Sequence, residues 1–396
     1  MRAAATVAWA GHAWMLRWAL SGMETPLAVL LVLGGFAAHA AESTDRPRGP
    51  WPGVLWGLAA LVRPEAALLL LAFSVARIAS AARYGGARAT LAILPGAAVL
   101  SGWLVFAQLY FGTIWPQTLA AKAAGAAGLA VAIEGAQRAL ELFLATDAAL
   151  AVTLALALVL GGARARSGAR HGIAWIWLLV LPTTYVARGV PVLSRYVLPA
   201  MPVLAWLAWS AASRWWLGGA GAATRRAAWI GAAVAAVALA QNAVVYRSGV
   251  FAHVSTFSPA LERSLVRWGR WFHEHTAPEA VIATPDIGAI GYFSDRRVVD
   301  LAGLVTPEMV PFLERETPEQ AIARFRFAAF ARPDFLVDRS GPAYALLTTS
   351  PYGGCLVPLG HARVPNLGIA QREPAVYSFY RVDWARYDSL RAHARR

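Results

Sequence analysis

The sequence feature that most constrains the fold is a series of eight apolar segments separated by arginine-containing loops. A helix that crosses a membrane needs roughly 20 apolar residues, with a lower limit near 17. Several of the segments are shorter than this, whereas the longest carries no charge between residues 91 and 110. The segments cover approximately residues 26–41, 51–62, 66–82, 91–111, 148–160, 173–186, 197–212 and 227–246.

The composition identifies the class of protein. Of the 396 residues, 58% are hydrophobic and 15% charged, and the mean hydropathy is +0.48. A chain this apolar is expected to be an integral membrane protein. The net charge of +14 comes from residues spread over many loops, so we do not expect nucleic-acid binding. The single cysteine, Cys355, excludes an internal disulfide.

The N-terminus resembles a signal peptide only at first sight. The apolar run after Met1 contains His12 and Arg17 and has no convincing small-residue cleavage site. We expect this run to be the remaining part of a transmembrane helix that begins upstream.

The sequence Arg63-Pro64-Glu65 interrupts the apolar residues between Trp51 and Ala76. A single helix would bury two charges at mid-membrane, at a cost of about 2.5–3.5 kcal/mol for each charge. Two short helices that meet at Arg63 avoid this cost. The free energy therefore favours a hairpin, although the distribution of basic residues does not distinguish the two alternatives.

The arginine-rich loops predict the orientation in the membrane. Basic residues are enriched in cytoplasmic loops, and three loops carry three arginines each. The hairpin then places Glu24 and Arg63 outside, and either alternative places the C-terminal part outside. The nine arginines are Arg77, Arg83, Arg88, Arg164, Arg166, Arg170, Arg214, Arg225 and Arg226.

The composition changes near residue 247. From there to the C-terminus the chain has 18 Arg and 15 Asp plus Glu, which is typical of a water-exposed domain. We therefore predict a membrane domain over residues 1–246 and an external α/β domain over residues 247–396. In the second domain we expect strands at 280–283, 297–301, 334–337 and 376–382, and helices at 264–275, 284–292 and 318–330, with Thr284 as the cap of the second helix.

Soluble-enzyme motifs are absent from the sequence: there is no phosphate-binding loop, no zinc-protease motif and no dinucleotide fingerprint. Gly288 and Gly291 are expected to allow close packing between a helix and a strand. Asp286 and Asp300 are expected to cap or pair at the ends of elements.

Ionisable residues gather at the ends of the apolar segments on the predicted external face. These are Glu24, Arg63, Glu65, Lys122 and Arg195, with Tyr196 beside the last of them. Cations next to a carboxylate suit an anionic lipid head group, in which arginine and lysine hold the phosphate. The alternatives are that each cation merely extends to water, and that Glu24 caps the helix that begins near Pro26.

Five short motifs follow one another along the chain: SGMETPL at 21–27, GLAALVRPEAALL at 57–69, FGTIWPQTLAAKAAG at 111–125, SRYVLPAMP at 194–202 and DIGAIGYFSDRRVVDLAGL at 286–304. In this order they resemble the type C glycosyltransferases, which are polytopic enzymes that take a sugar from a polyprenyl-phosphate donor on the external face. The greatest similarity is to terminal arabinofuranosyltransferases.

The resemblance implies roles for individual residues. Glu24 corresponds to an acidic residue near a divalent metal, Mg or Mn, or near the acceptor, and it is also the candidate catalytic base. Arg63, with Lys122 and Arg195, corresponds to the ligands of the donor phosphate. The family's catalytic Asp in a first external loop has no counterpart here, because the first Asp is Asp45 and the hairpin places it inside.

Together these observations predict an α-helical membrane domain of eight or nine spans followed by a small external α/β domain, in the cytoplasmic (inner) membrane. The expected function is transfer of a sugar from a polyprenyl-phosphate donor to a cell-envelope glycan, lipid or protein. A catalytically silent relative that binds lipid-linked sugar and a lipid or solute transporter are the alternatives.

Overall fold

The computed structural model describes residues 2–42, 49–84, 91–118, 121, 128–168, 171–216, 222–365 and 373–394. The chain forms two compact units. The first comprises Met1–Ile114 and Ala127–Val250, and the second comprises Trp115–Ala126 and Phe251–Arg396.

The described part of the first unit is helical. α4 packs against α3, α5 and α6, and α7 packs against α9, α11 and α12. A π-helical turn, Tyr246–Val250, follows the last helix of this unit. The helices are α1 (Arg2–Ala10), α2 (Ala13–Ala19), α3 (Thr25–Ala40), α4 (Trp51–Val62), α5 (Ala67–Tyr84), α6 (Leu94–Phe111), α7 (Leu129–Leu160), α8 (Gly162–Gly168), α9 (Gly172–Ala187), α10 (Ser194–Val197), α11 (Met201–Trp216) and α12 (Ala222–Val245).

The predicted break at Arg63 is confirmed. α4 ends at Val62, Arg63 is extended, and a 3-10 turn, Pro64–Ala66, leads into α5. A residue before proline is disfavoured in the helical region, which accounts for the position of the break. The chain reverses direction at this break. The contact between the rings of Trp56 in α4 and Phe73 in α5, with centroids 5.5 Å apart, shows that the two helices pack side by side.

Glycines allow α4 and α6 to approach closely. A Cβ atom on Gly96 would lie 2.2 Å from the main-chain oxygen of Gly53, and one on Gly57 would lie 2.7 Å from that of Gly96. Small residues permit this backbone contact in membrane helix packing, where burial of apolar surface between helices gives little driving force.

Three described helices are long and apolar enough to cross a membrane: Leu94–Phe111, Leu129–Leu160 and the helical run Arg225–His275. Shorter apolar helices are Thr25–Ala40, Trp51–Val62 and Gly172–Ala187. We predicted eight or nine spans, and the described helices do not support that number by length and composition. α7 also begins 19 residues before the predicted 148, because its first half carries charges that interrupt the apolar pattern.

The second unit contains a five-stranded sheet of order β2-β1-β3-β5-β4, in which β1 is parallel to β2 and β3, and β5 is antiparallel to β3 and β4. The strands are β1 (Val281–Thr284), β2 (Arg297–Asp300), β3 (Phe335–Asp338), β4 (Leu356–Val364) and β5 (Ala375–Val382). The helices are α13 (Phe251–Leu261), α14 (Arg267–His275), α15 (Ile287–Ser294), α16 (Val310–Leu313), α17 (Pro318–Ala323), α18 (Leu346–Thr349) and α19 (Trp384–His393), and a π-helical turn, Glu262–Val266, joins α13 to α14.

Both faces of this sheet are covered. Leu336 and Tyr380 belong to one buried cluster, whereas their neighbours Val337 and Phe379 belong to another. Because successive strand residues point to opposite faces, the two clusters lie on opposite sides of the sheet.

The four predicted strands are present, with ends within one residue of the predicted ones. β4 was not predicted, because Pro358 and Gly360 interrupt its pattern at an irregularity in the ladder. The predicted helix at 318–330 is wrong in extent, since α17 ends at Ala323 and a 3-10 turn, Arg326–Ala329, follows. The predicted helix start at Thr284 is also wrong, since Thr284 is the last residue of β1 and Asp286 holds the N-cap position of α15.

Candidate functional site

Two chain segments position the predicted pair Glu24 and Arg63. Glu24 occupies the N-cap position of α3, with Pro26 in the first turn, but its side chain makes no capping hydrogen bond. Arg63 lies at the break between α4 and α5. The carboxylate of Glu24 therefore does not cap the helix and pairs with Arg63 instead.

Arg63 connects three distant parts of the first unit. Its Nη1 donates to Glu24 Oε1 at 3.0 Å and to the main-chain oxygen of Arg195 at 3.3 Å. Its Nη2 donates to the hydroxyl of Tyr185 at 2.6 Å. The residue is buried, with 7% of its surface exposed. A buried guanidinium is stable only where charged and polar partners replace its hydration, which these contacts do.

Glu65 completes the network from the other side of Pro64. The Tyr185 hydroxyl donates to Glu65 Oε1 at 2.5 Å, and Arg188 Nη2 approaches the same oxygen at 3.4 Å. Glu65 Oε2 lies 3.8 Å from Arg63 Nε. We call Glu24, Arg63, Glu65, Tyr185 and Arg188 the Arg63 cluster; its two carboxylates balance its two guanidinium groups.

Tyr185 and Arg188 were not predicted. They lie at the C-terminal end of α9, one turn apart. The available signal was a tyrosine and an arginine at helical spacing at the end of an apolar segment, which is also the ordinary pattern of an interfacial helix end. Sequence reasoning therefore had no ground to connect them with Glu65.

Arg195 and Tyr196 lie beside the Arg63 cluster in α10. The ring of Tyr196 stacks on that of Tyr185, with centroids 4.6 Å apart and planes inclined by 6°. The guanidinium carbon of Arg63 lies 5.3 Å from the centroid of Tyr196. Arg195 Nη2 donates to the Tyr196 hydroxyl at 3.2 Å.

A second cation shares the surroundings of Arg195. The guanidinium carbons of Arg17 and Arg195 lie 4.7 Å and 5.5 Å from the ring centroid of Trp18, and the two charges repel each other. The indole of Trp18 donates to the Ser194 hydroxyl at 3.0 Å. Among the described residues, Arg195 forms no ion pair with a carboxylate. We call Arg17, Trp18 and Arg195 the Trp18 site, where two guanidinium groups lie against one indole ring.

Of the predicted site residues, Glu24, Arg63, Arg195 and Tyr196 lie together, and Glu65 joins them. Lys122 lies outside the described residues. The structure therefore gives no position for its side chain.

The residues around Glu24 do not fit a divalent metal ion. In the part of the chain that the structure describes, no three His, Cys, Asp or Glu side chains are grouped as metal ligands. One oxygen of Glu24 already accepts from Arg63, and Glu65 is engaged by Tyr185 and Arg188. A hard divalent cation prefers several oxygen ligands, and an adjacent guanidinium would repel it.

A second buried polar cluster was also not predicted. His12 Nε2 lies 3.1 Å from Asp147 Oδ2, which also accepts from the Thr146 hydroxyl at 2.7 Å. Asn242 accepts from the backbone of Ala13 at 2.8 Å. Both His12 and Asp147 are almost completely buried. These contacts tie the start of α2 to α7 and α12, which favours a structural role.

Comparisons with known proteins concern the second unit. A family model described as a domain of unknown function (DUF8728) matches residues 256–391. No curated protein and no solved structure matches the chain. The matched region covers the five-stranded sheet with its flanking helices, and it does not include the Arg63 cluster or the Trp18 site.

Proposed function

We propose that this chain is a membrane glycosyltransferase similar to the type C enzymes, which transfers a sugar from a polyprenyl-phosphate donor to a cell-envelope glycan, lipid or protein. One observation carries the proposal. Three of the family-like motifs, at 21–27, 57–69 and 194–202, supply Glu24, Arg63 and Arg195, which meet in space although 171 positions separate the first from the last.

The donor phosphate would bind at the Trp18 site. Arg195 has no carboxylate partner among the described residues, and Arg17 places a second positive charge near it. Two like charges held together repel, and an anion placed between them removes that repulsion. A planar guanidinium also binds two phosphate oxygens at once.

Arg63 would position Arg195 in this arrangement. Its Nη1 and Nη2 groups are occupied by Glu24, Tyr185 and the main chain of Arg195. To hold a phosphate, it would have to release one of these partners. The proposed phosphate ligand is therefore Arg195, and Arg63 fixes the backbone of that residue. Lys122 is proposed as a further ligand of the same phosphate.

The reaction would break the bond between the anomeric carbon and the phosphate oxygen and form a bond from that carbon to the acceptor oxygen. Arginine near the phosphate stabilises the charge that develops on the leaving group. The acceptor hydroxyl loses its proton to a general base, for which Glu24 is the proposed residue. Glu24 is the proposed acceptor ligand, because its side chain is 39% exposed and only one of its oxygens is engaged by Arg63.

We further propose that the membrane domain has eight or nine spans. The three long apolar helices and the shorter apolar helices α3, α4 and α9 would be six of them. The second unit would then be extracytoplasmic and the protein would reside in the inner membrane. A C-terminal alkaline phosphatase fusion would be active in this topology, and an inactive fusion at normal expression would contradict it.

Binding of a polyprenyl phosphate to the purified full chain tests the site. We expect the wild type to bind undecaprenyl phosphate much more tightly than undecaprenol in native mass spectrometry. Arg195→Ala should weaken binding roughly tenfold or more, since a hydrogen bond to a charged group contributes about 1.5–3 kcal/mol. Arg138→Ala, which removes an exposed arginine paired with Glu141, is the matched control.

Equal binding of the alcohol and the phosphate, or unchanged binding by Arg195→Ala, would overturn the proposal. The engagement of Glu24 by Arg63 favours one second candidate, a silent relative that binds the donor without transferring its sugar. Incubation with a polyprenyl-phosphoryl pentose separates the two, because only the enzyme releases polyprenyl phosphate when an envelope acceptor is supplied.

A further inference from the structure

A cleft on the second unit has no part in the site described above. It has a volume of about 380 Å³, within the range of ligand pockets. We call it the Arg263 cleft: Arg263, Arg267, Trp268 and Trp271 line one wall, and residues 360–363 of β4 line the other.

The cleft lies between one helical run and β4, the last strand in the order of the sheet. Arg263, Arg267 and Trp271 follow one another at four-residue intervals, so they lie along one side of the helix. On β4, Gly360 faces the helical run, so the side chains of His361 and Arg363 point to the opposite face of the sheet. The cations of the cleft therefore come from the helical run.

Gly360 allows the two walls to meet. A Cβ atom at this position would lie 2.5 Å from Cζ2 of Trp268. Without one, the Trp268 ring lies against the strand and stacks on Phe379 of β5, with centroids 4.0 Å apart. The floor of the cleft is therefore a fixed aromatic surface, since Trp271 in turn contacts Trp268 edge to face at 5.3 Å.

The positive charge of the cleft is local. Residues 247–396 carry 18 Arg against 15 Asp plus Glu, so the domain is nearly balanced. Arg270, in the same helix, pairs with Glu262 at 2.9 Å. By contrast, among the described residues Arg263 and Arg267 form no ion pair, and no Asp or Glu lines the cleft.

We propose that the Arg263 cleft binds an anionic glycan, with a sugar ring on the tryptophans and its carboxylate or phosphate groups on Arg263 and Arg267. Arginine binds such groups in a bidentate manner, and half-buried tryptophans offer the apolar surface that the C–H face of a sugar requires. A single-stranded nucleic acid would need a basic groove that continues beyond one pocket. The ion pair of Arg270 and the charge balance of the domain argue against such a groove.

This inference deepens the proposed function and rests on it for the ligand's role as the acceptor. The experiment uses the purified full chain, with tryptophan fluorescence and calorimetry as readouts. Tetragalacturonate is the anionic glycan probe, and maltotetraose is the neutral glycan probe. The oligonucleotide dT10 is the single-stranded nucleic-acid probe. We expect saturable binding of tetragalacturonate and at least roughly tenfold weaker binding of the other two.

Arg263→Gln/Arg267→Gln should reduce tetragalacturonate binding roughly tenfold or more, because two charge-assisted contacts are lost. Both side chains are exposed, so the variant is expected to fold. Arg270→Gln is the matched control from the same helix, and its binding should equal that of the wild type.

Three results would overturn the inference: unchanged binding by the double variant, equal binding of maltotetraose, or tighter binding of dT10. None of these results bears on the polyprenyl-phosphate experiment, because that experiment tests Arg195, which belongs to the other unit. Conversely, if Arg195→Ala leaves polyprenyl-phosphate binding unchanged while the double variant loses tetragalacturonate, the cleft stands and only the proposed transferase site fails.

Discussion

Arg63 Nη1 lies 3.0 Å from Glu24 Oε1, and the same atom donates to the main-chain oxygen of Arg195. One guanidinium thus fixes the start of α3 to α10 at the break between α4 and α5. The Trp18 site lies beside this connection, because Arg195 belongs to both. The two carboxylate partners of Arg63 differ in burial: 39% of the Glu24 side chain is exposed, compared with 13% of the Glu65 side chain.

This difference predicts unequal effects of removing the two charges. Glu65→Gln should cost about 3–5 kcal/mol of unfolding free energy, because Arg63 and Arg188 lose a buried partner. Glu24→Gln should cost about 0.2–1 kcal/mol, as for exposed pairs. Unfolding in mixed SDS micelles measures both, with Glu141→Gln as an exposed control. Equal losses for Glu24→Gln and Glu65→Gln would contradict the assignment of Glu65 as the buried anchor.

The pair His12 and Asp147 predicts strong coupling between the two positions. His12→Leu or Asp147→Leu alone leaves a buried polar group without its partner, at a cost of about 3–5 kcal/mol. The double variant should lose less than the sum, with a coupling free energy of roughly 0.5–3 kcal/mol in a double-mutant cycle. The same micelle titration provides these values. Strict additivity would mean that the 3.1 Å contact contributes nothing to folding.

Two glycines of α6 should respond oppositely to alanine. Gly96→Ala forces a methyl group against the backbone of Gly53 and should cost at least about 1–3 kcal/mol, since α4 and α6 must separate. Gly102 has nothing within 4 Å of the position of a Cβ atom, so Gly102→Ala should stabilise the helix by about 0.5–1 kcal/mol. A destabilised Gly102→Ala variant would refute the packing described for this helix.

The acid stability of the second unit should depend on Glu316. Hydrogen bonds from Arg326, and then from Arg324, lower the pKa of Glu316 from 4.5 to about 2. The folded state therefore binds the proton less tightly than the unfolded state. This stabilisation is complete above about pH 4.5 and is lost as the pH falls towards about 2.

Calorimetry of the full chain between pH 6 and pH 2 tests this sign. The wild type should lose stability over that window through Glu316, and Glu316→Gln should remove this contribution, so that its unfolding temperature falls less steeply. Glu314→Gln, two residues away and exposed, is the control. Parallel curves for Glu316→Gln and the wild type would show that the arginines do not stabilise the carboxylate.

Local chemistry explains what could be predicted from the sequence. Proline removes a backbone donor and restricts the residue before it, so the break at Arg63 and the start of α3 at Pro26 follow from a few neighbouring residues. Alternation and turn residues likewise located four of the five strands. β4 was missed because its own local signal, at Pro358 and Gly360, opposes a strand, and pairing with β5 overrides it.

The sequence by itself determined that the chain is apolar enough for a membrane, where the helices break, and which charged residues stand at segment ends. Only the tertiary structure decided which of them meet. Tyr185 reaches Glu65 across 120 positions and His12 reaches Asp147 across 135. No periodicity encodes such a pair, because the packing of whole helices sets it. For the same reason the walls of the Arg263 cleft, a helix and a strand almost 100 residues apart, come together only in the folded domain.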